Sequence, residues 1–424
     1  MDEDVKRMFL EFDHVNPPIG SDGTPYDYYE RFVDRTLKAG QHVGWSSKHG
    51  GFWLVSGYAE CVDVLRNADV FSNEEPTLPR YATNEAIMIA GQDDPDHRFA
   101  RALVNRPFNP VGVKLYSEVI RESVNLLIDG VIASGRADLA QVIAKPVPAI
   151  VTALLMGVPA EEGPRFSHWI SCVSEGQDVT DVNASADIAE MYAYFRETIE
   201  RHRDAPGQDV LSRAVHASAD GRSFSVDELL GLCVTLMIGG IDNTYRLISA
   251  LLWRLSWDVE LRQRLIANLA LIPATVEEAL RYYSPAYTGR IVTKDQHFHG
   301  VEMRTGDLVL IGNPLANRDP RAFEHPNQFM VERSPNNHIA LGLGIHRCLG
   351  AHLIAIEAKI VIEEFLTRLP EFWLDETLST KWIGGQVAGL EHVPVCFPPA
   401  APSSFDRASQ HSGIEAWLAH VDHR

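Results

Sequence analysis

The chain reads as a mainly α-helical fold with a minor antiparallel β region, closed into one interleaved domain. Three observations lead there. Long stretches in the middle and late chain repeat apolar residues at helical spacing. Two strand-like pairs, in VGWSSKHGGFWLVSG and QHFHGVEMRTGDLVLIG, lie in distant parts of the sequence, which favours interleaving over separate beads. No linker-like composition interrupts the chain before Pro398, so residues 1–398 are expected to form one domain and 399–424 an extension.

Taken in chain order, the opening MDEDVKRMFLEFDHV has neither the basic start nor the apolar run of a signal peptide. The first strand pair turns around Gly50 and Gly51, which suit a tight turn. In DDPDHRFARALVNRPFNP, His97 and Arg101 share a helix face at i, i+4 and can grip an anion together. A long helix begins at Ser225, a capping residue with Glu228 three positions on and Phe224 placed to staple onto Leu229, and its periodicity continues to about Trp257. It is apolar all round and so should cross the core.

Inside that helix stands GGIDNT, residues 239–244. Two interior glycines cost about 1–2 kcal/mol relative to alanine, and the Asp and Asn that follow are polar where apolar side chains would pack. Either the helix kinks there and wets its polar residues, or Gly239 and Gly240 let a flat ligand approach while Asp242 and Asn243 handle protons beside it. In VEEALRYYSP, Glu278 and Arg281 are spaced to pair. After the second strand region comes HIALGLGIHRCLGAHLIAIEA, where a loop containing Gly342 and Gly344 leads through His346 and Cys348 into a helix expected from Leu349. A sulfur at a helix N-terminus is biased toward thiolate. Cys348 can be a buried structural residue, a nucleophile with His346 as base, or a metal ligand. The other cysteines, Cys61, Cys172, Cys233 and Cys396, spell out no zinc or iron–sulfur pattern. The last residues, IEAWLAHVDHR, have the pattern of a short amphipathic helix.

Composition bounds the partners. With 38 basic and 57 acidic residues the formal net charge is -19, which argues against nucleic acid. No uninterrupted apolar stretch reaches membrane-spanning length, so no membrane partner is expected. Five cysteines in 424 residues fit a reducing cytoplasm.

These stretches, in this order, resemble the cytochrome P450 family over nearly the whole chain, from about Pro25 to Pro398. The family's haem loop matches at Gly342, Gly344, His346, Cys348 and Gly350 and departs at Leu341, where phenylalanine is usual. The resemblance implies the cytochrome P450 fold, haem b as cofactor, and Cys348 as the axial thiolate of its iron. It implies that His97, Arg101, Arg290 and His346 bind the haem propionates and that Gly240, Leu341 and Gly342 lie against the cofactor. Glu278, Arg281 and Arg333 match a structural network, and Arg318 and Asp319 a scaffold phrase. The oxygen-activation motif departs: Asp242 is present, but Asn243 holds the place of the usual threonine, with Thr244 one step later. An amide can hydrogen-bond a water or a substrate oxygen but is a poor proton relay.

The implied reaction is monooxygenation of a small hydrophobic molecule with O2. Electrons would come from a separate ferredoxin or flavodoxin and its NAD(P)H reductase, docked near Arg98, Arg106 and Arg347. The wording around GGIDNT is similar to cineole-hydroxylating bacterial members of the family, which implies a compact terpenoid. Tyr81, Leu236, Gly240, Asn243, Tyr287, Thr288, Val387 and Ala388 are the implied substrate lining. Two rival classes are a haem-thiolate sensor or carrier without turnover and a haem-free Cys–His hydrolase.

Overall fold

The computed structural model describes residues 2–81, 87–175 and 182–403. Six helices and one sheet position the site. They are α1 (Asp96–Val104), α2 (Ser117–Val131), α3 (Pro146–Leu155), α4 (Val226–Trp257), α5 (Ile272–Tyr283) and α6 (Ala351–Arg368). The strands are β1 (Val43–Ser46), β2 (Phe52–Val55), β3 (Phe71–Ser72), β4 (Thr288–Val292) and β5 (Leu308–Ile311), in the spatial order β1-β2-β5-β4-β3. Strands from residues 43–72 and from residues 288–311 meet in this sheet, so distant parts of the chain interleave.

One strand departs from expectation. Gln296–Phe298 and Val301–Met303 pair antiparallel as a local hairpin, but β5 leaves them for the main sheet. It pairs antiparallel with β4, Val309 opposite Arg290, and parallel with β2, Val309 opposite Trp53. Val309, Leu310 and Ile311 are all buried, as a central strand covered on both faces requires.

The long helix forms as its capping signature demands. Ser225 Oγ accepts from the Glu228 amide at 3.2 Å, and Glu228 Oε2 accepts from the Ser225 amide at 2.8 Å. It packs against α3, α5 and α6 and is buried along most of its length. The helix runs through residues 239–244 without interruption, so the two glycines do not break it. Close packing is the reason at one of them: a Cβ at Gly240 would stand 2.5 Å from Thr152 Oγ1 on α3, whereas one at Gly239 would meet nothing within 4 Å.

Beyond Pro398 the chain stays fastened to α2: the Ala400 amide donates to the Ile132 carbonyl, and the Ser403 amide and hydroxyl both donate to Asp129. The helix expected within residues 414–424 lies outside the described residues. Among the described residues no helix is long and apolar enough to cross a membrane.

Glu278 and Arg281 pair as their spacing predicts, but deep in the interior, both side chains being 0% exposed. Two parallel bonds of 2.9 and 2.8 Å join them. Arg333 Nε, the Met330 amide and Asn336 Nδ2 also donate to the same carboxylate. Arg281 donates onward to the carbonyls of Asn317, Pro326 and Gln328. Removing one partner of a buried, hydrogen-bonded pair strands the other, at a cost of about 3–5 kcal/mol. Arg281→Met is therefore expected to lower the unfolding free energy by about that amount in urea denaturation; a loss under about 1 kcal/mol contradicts the assignment.

Candidate active site

The loop before α6 owes its path to two glycines in left-handed conformation, Gly342 with φ 68° and Gly344 with φ 69°. Gly344 also passes so near the Leu65 carbonyl that a Cβ would lie 3.0 Å from it. The loop closes where the Cys348 amide donates to the Leu341 carbonyl at 2.8 Å. Gly350 caps α6, which starts at Ala351, two residues later than expected. Cys348 thus stands before the first turn. The residue is open at its surface, yet the protein packed around the sulfur raises its thiol above the ordinary value, while the Gly350 amide, Arg101 and Arg347 pull it down. A metal cation on the sulfur would offset that desolvation by its own charge and leave the three lowering contacts in place.

Beside the loop, four cation-forming side chains converge from three elements. His97 and Arg101 come from α1, Arg290 from β4 and His346 from the loop itself. The rings of His97 and His346 lie 4.1 Å apart, and no nitrogen of either has a hydrogen-bond partner. Asp94 is 3.5 Å from His97 Nδ1 and Asp93 is 3.9 Å from His346 Nε2, too far or ill-aimed to satisfy them. Burial pushes His346 down to about 3, with His97 and Arg290 adding repulsion, and it lowers His97 as well. Arg290, fully interior, falls to about 10, and Arg101 falls too. Four donors depressed together, with orphaned nitrogens among them, form a site for a ligand bearing carboxylates. These residues fit the two propionates of haem b, and the thiol 348 fits its iron. The i, i+4 face of α1 was legible in sequence, but its meeting with Arg290 and His346 is made by the fold.

On α4, which packs against α6, stand Asp242 and Asn243. Burial raises the Asp242 carboxyl, opposed by Arg246 and Lys145. The Asn243 amide has no hydrogen-bond partner among the described residues, and Thr244 is buried more deeply beside it. Tyr81 is buried near this pair: desolvation raises its phenol, and the Asp242 charge raises it further. Leu236 belongs to the same core cluster as Tyr81. Val387 bridges to Ala286, the Ala388 amide donates to the Pro285 carbonyl, and Thr288 Oγ1 accepts from Asn313 Nδ2 at 3.2 Å.

Two expected lining residues are corrected. Tyr287 turns its ring into an N-terminal cluster with Phe12 and His14, and its hydroxyl bonds the Tyr29 hydroxyl at 2.9 Å. Burying both hydroxyls together satisfies them without water, so its side chain is committed away from the site. Gly240 likewise directs its Cβ position at Thr152, and the glycine that faces open space is Gly239.

Two positioning residues escaped the sequence reading. Arg246 lies one turn beyond Asp242, a spacing visible in sequence, and is held by the Leu390 carbonyl. Gln386 accepts from the Leu78 amide and donates to the Pro76 and Tyr287 carbonyls, joining segments some 300 residues apart that no local pattern links. The glycine assignments are testable. Gly240→Ala is expected to cost about 1–3 kcal/mol by overpacking, most of it recovered when Thr152→Ala is added. Gly239→Ala should leave unfolding free energy undiminished; additive losses in the 152/240 double-mutant cycle contradict the contact.

Comparison with known proteins bears on the family and the fold. The family model for cytochrome P450 matches residues 184–370. The steroid C26-monooxygenase of Mycobacterium tuberculosis (strain ATCC 25618 / H37Rv) is 32% identical over 402 residues, covering 90% of this chain and 97% of that protein. Among solved structures, CYP109E1 from Bacillus megaterium in complex with testosterone superposes with a TM-score of 0.79 at 30% identity, over 89% of this chain and 98% of that one. P450BioI in complex with an acyl carrier protein ligated to hexadec-9Z-enoic acid gives 0.78 at 29% identity, over 88% and 98%. The fold and the sequence are thus shared over nearly the whole length of these proteins, and the chain belongs to the cytochrome P450 family of haem-thiolate monooxygenases.

Proposed function

We propose that this monooxygenase inserts one oxygen atom of O2 into a C–H bond of a compact apolar molecule bearing an ether, ketone or hydroxyl oxygen, a monoterpenoid or an alkyl-aromatic. The observation that carries this reading is the Asn243 amide, unpartnered among the described residues and next to Asp242 in α4. Haem, when bound, supplies dioxygen activation on a cysteine-ligated iron. The rest is the work of this chain. Cys348 would hold the metal. His97, Arg101, Arg290 and His346 would hold the carboxylates. Asp242, whose carboxyl burial raises above its ordinary value while Arg246 and Lys145 oppose the rise, is the group on α4 that passes protons toward the site.

With no alcohol at position 243, water beside Asp242 carries the proton, and the amide is free to orient substrate. One such hydrogen bond is worth about 0.5–1.5 kcal/mol, enough to bias which carbon meets the iron several-fold. The steroid named for the mycobacterial relative and the testosterone named for CYP109E1 are apolar bodies carrying few oxygens, which supports the same chemical class on a smaller frame.

Electrons come from a separate ferredoxin or flavodoxin with its NAD(P)H reductase. Support lies on the outer face of α6, where Lys114, His352 and Lys359 line a groove of about 380 Å³. Val111 and Leu115 stand nearby, 76% and 81% exposed. Apolar contacts with Lys114 and Lys359 at the rim suit an acidic partner, although Glu277 lines the same groove.

Two measurements test the reading. Asn243→Ala is expected to change the distribution of oxidation products with turnover kept within about threefold; unchanged products with collapsed turnover refute the substrate-orienting role. Arg101→Ala and Arg290→Ala each remove a charged hydrogen bond of about 1.5–3 kcal/mol, so haem affinity should fall about ten- to hundredfold per variant. Haem transfer to apomyoglobin reads this directly, and rates equal to the parent protein's contradict the propionate assignment.

A further inference from the structure

A second group of ligand-type side chains gathers outside the active site. Asp13 and His14 follow the N-terminal helix Glu3–Leu10, and His49 sits in the turn between β1 and β2. Each offers a donor atom within 4.8 Å of the other two. His49 Nε2 is 2.8 Å from Asp13 Oδ1, and its ring stands 5.3 Å from that of His14.

Asp13 and His49 alone would read as an ion pair. His14 does not fit that description. It is 0% exposed, and its Nε2 faces the Leu78 carbonyl oxygen. A carbonyl only accepts, so Nε2 carries the hydrogen and Nδ1 is left as a bare lone pair. That nitrogen is buried with no partner. One nitrogen anchored on a carbonyl and the other bare is the arrangement of a histidine that ligates a metal. Asp13 is also prepared. Its Oδ1 takes the Val15 and Asn16 amides and His49, while Oδ2 keeps only a 3.4 Å contact with Asn16 Nδ2.

We propose that Asp13, His14 and His49 bind a divalent metal ion of the zinc class, which clamps the N-terminal segment to the β1–β2 turn and, through His14, to Leu78. Two imidazoles and one carboxylate are a donor set that zinc accepts readily. The clamp reaches the active site in two steps, because Leu78 leads to Tyr81 and its amide is held by Gln386, which also holds the backbone of Tyr287.

The test uses the full-length haem-loaded protein. A second cluster, His168, Cys172 and Asp187, can also take a metal, so the background carries Cys172→Ser. Chelator-stripped protein is equilibrated with zinc chloride against a chromophoric chelator, and zinc per haem is measured. One zinc per haem is expected, with affinity reduced about tenfold or more by His49→Ala and by Asp13→Asn, each retaining the parent Soret spectrum. Zinc should also raise the unfolding temperature of the parent protein and not of the variants. Failure of the parent to bind stoichiometric zinc, or equal binding by both variants, overturns the proposal. Because the readout is metal content, neither result depends on the substrate assigned above.

Discussion

A carboxylate taken wholly out of water governs this fold. Glu278 has no solvent to share its charge, so it is stable only while Arg281, Arg333, Asn336 and the Met330 amide surround it. Those donors come from α5 and from the segment 330–336, and Arg281 in turn gathers the carbonyls of residues 317, 326 and 328. A stretch of chain with little regular structure is thereby tied to a helix of the core. That stretch leads into the loop carrying Cys348, so the path of the loop depends on satisfying the Glu278 charge.

The loop then meets a second electrostatic problem, of opposite sign. Arg101, Arg290, His97 and His346 are assembled without sufficient anion, and burial weakens the proton affinity of each. The fold tolerates this because the core cluster and the sheet pin the elements that carry them. Stability provided elsewhere is spent on a cluster that a dianionic cofactor completes. Carboxylate-rich Glu278 is satisfied within the chain; the cation cluster is satisfied only by a ligand. The contrast separates scaffold from site more clearly than burial does, since both groups are interior.

On the other face, α4 resolves its two glycines differently. Gly240 is consumed by the approach of α3, and Gly239 leaves the helix surface bare beside Asp242 and Asn243. At Gly240 the missing side chain lets α3 come close, and packing gained there offsets part of the intrinsic helix penalty. Tyr287 shows the same competition decided against the site: two buried phenols that can bond each other do so, and the ring follows its hydroxyl.

The sequence by itself determined the local grammar: the capped helix from Ser225, the Glu278–Arg281 spacing, the hairpin turn at Gly50 and the glycine loop before Cys348. Each depends on residues within a few positions, where backbone geometry and spacing are sufficient. Tertiary structure alone decided that Arg290 and His346 join His97 and Arg101, that Gln386 ties Leu78 to Tyr287, that Gly240 rather than Gly239 meets α3, and that β5 pairs in parallel with β2. Those outcomes turn on which buried polar group finds which partner across hundreds of residues, and desolvation is paid or relieved only once the whole chain has closed around them.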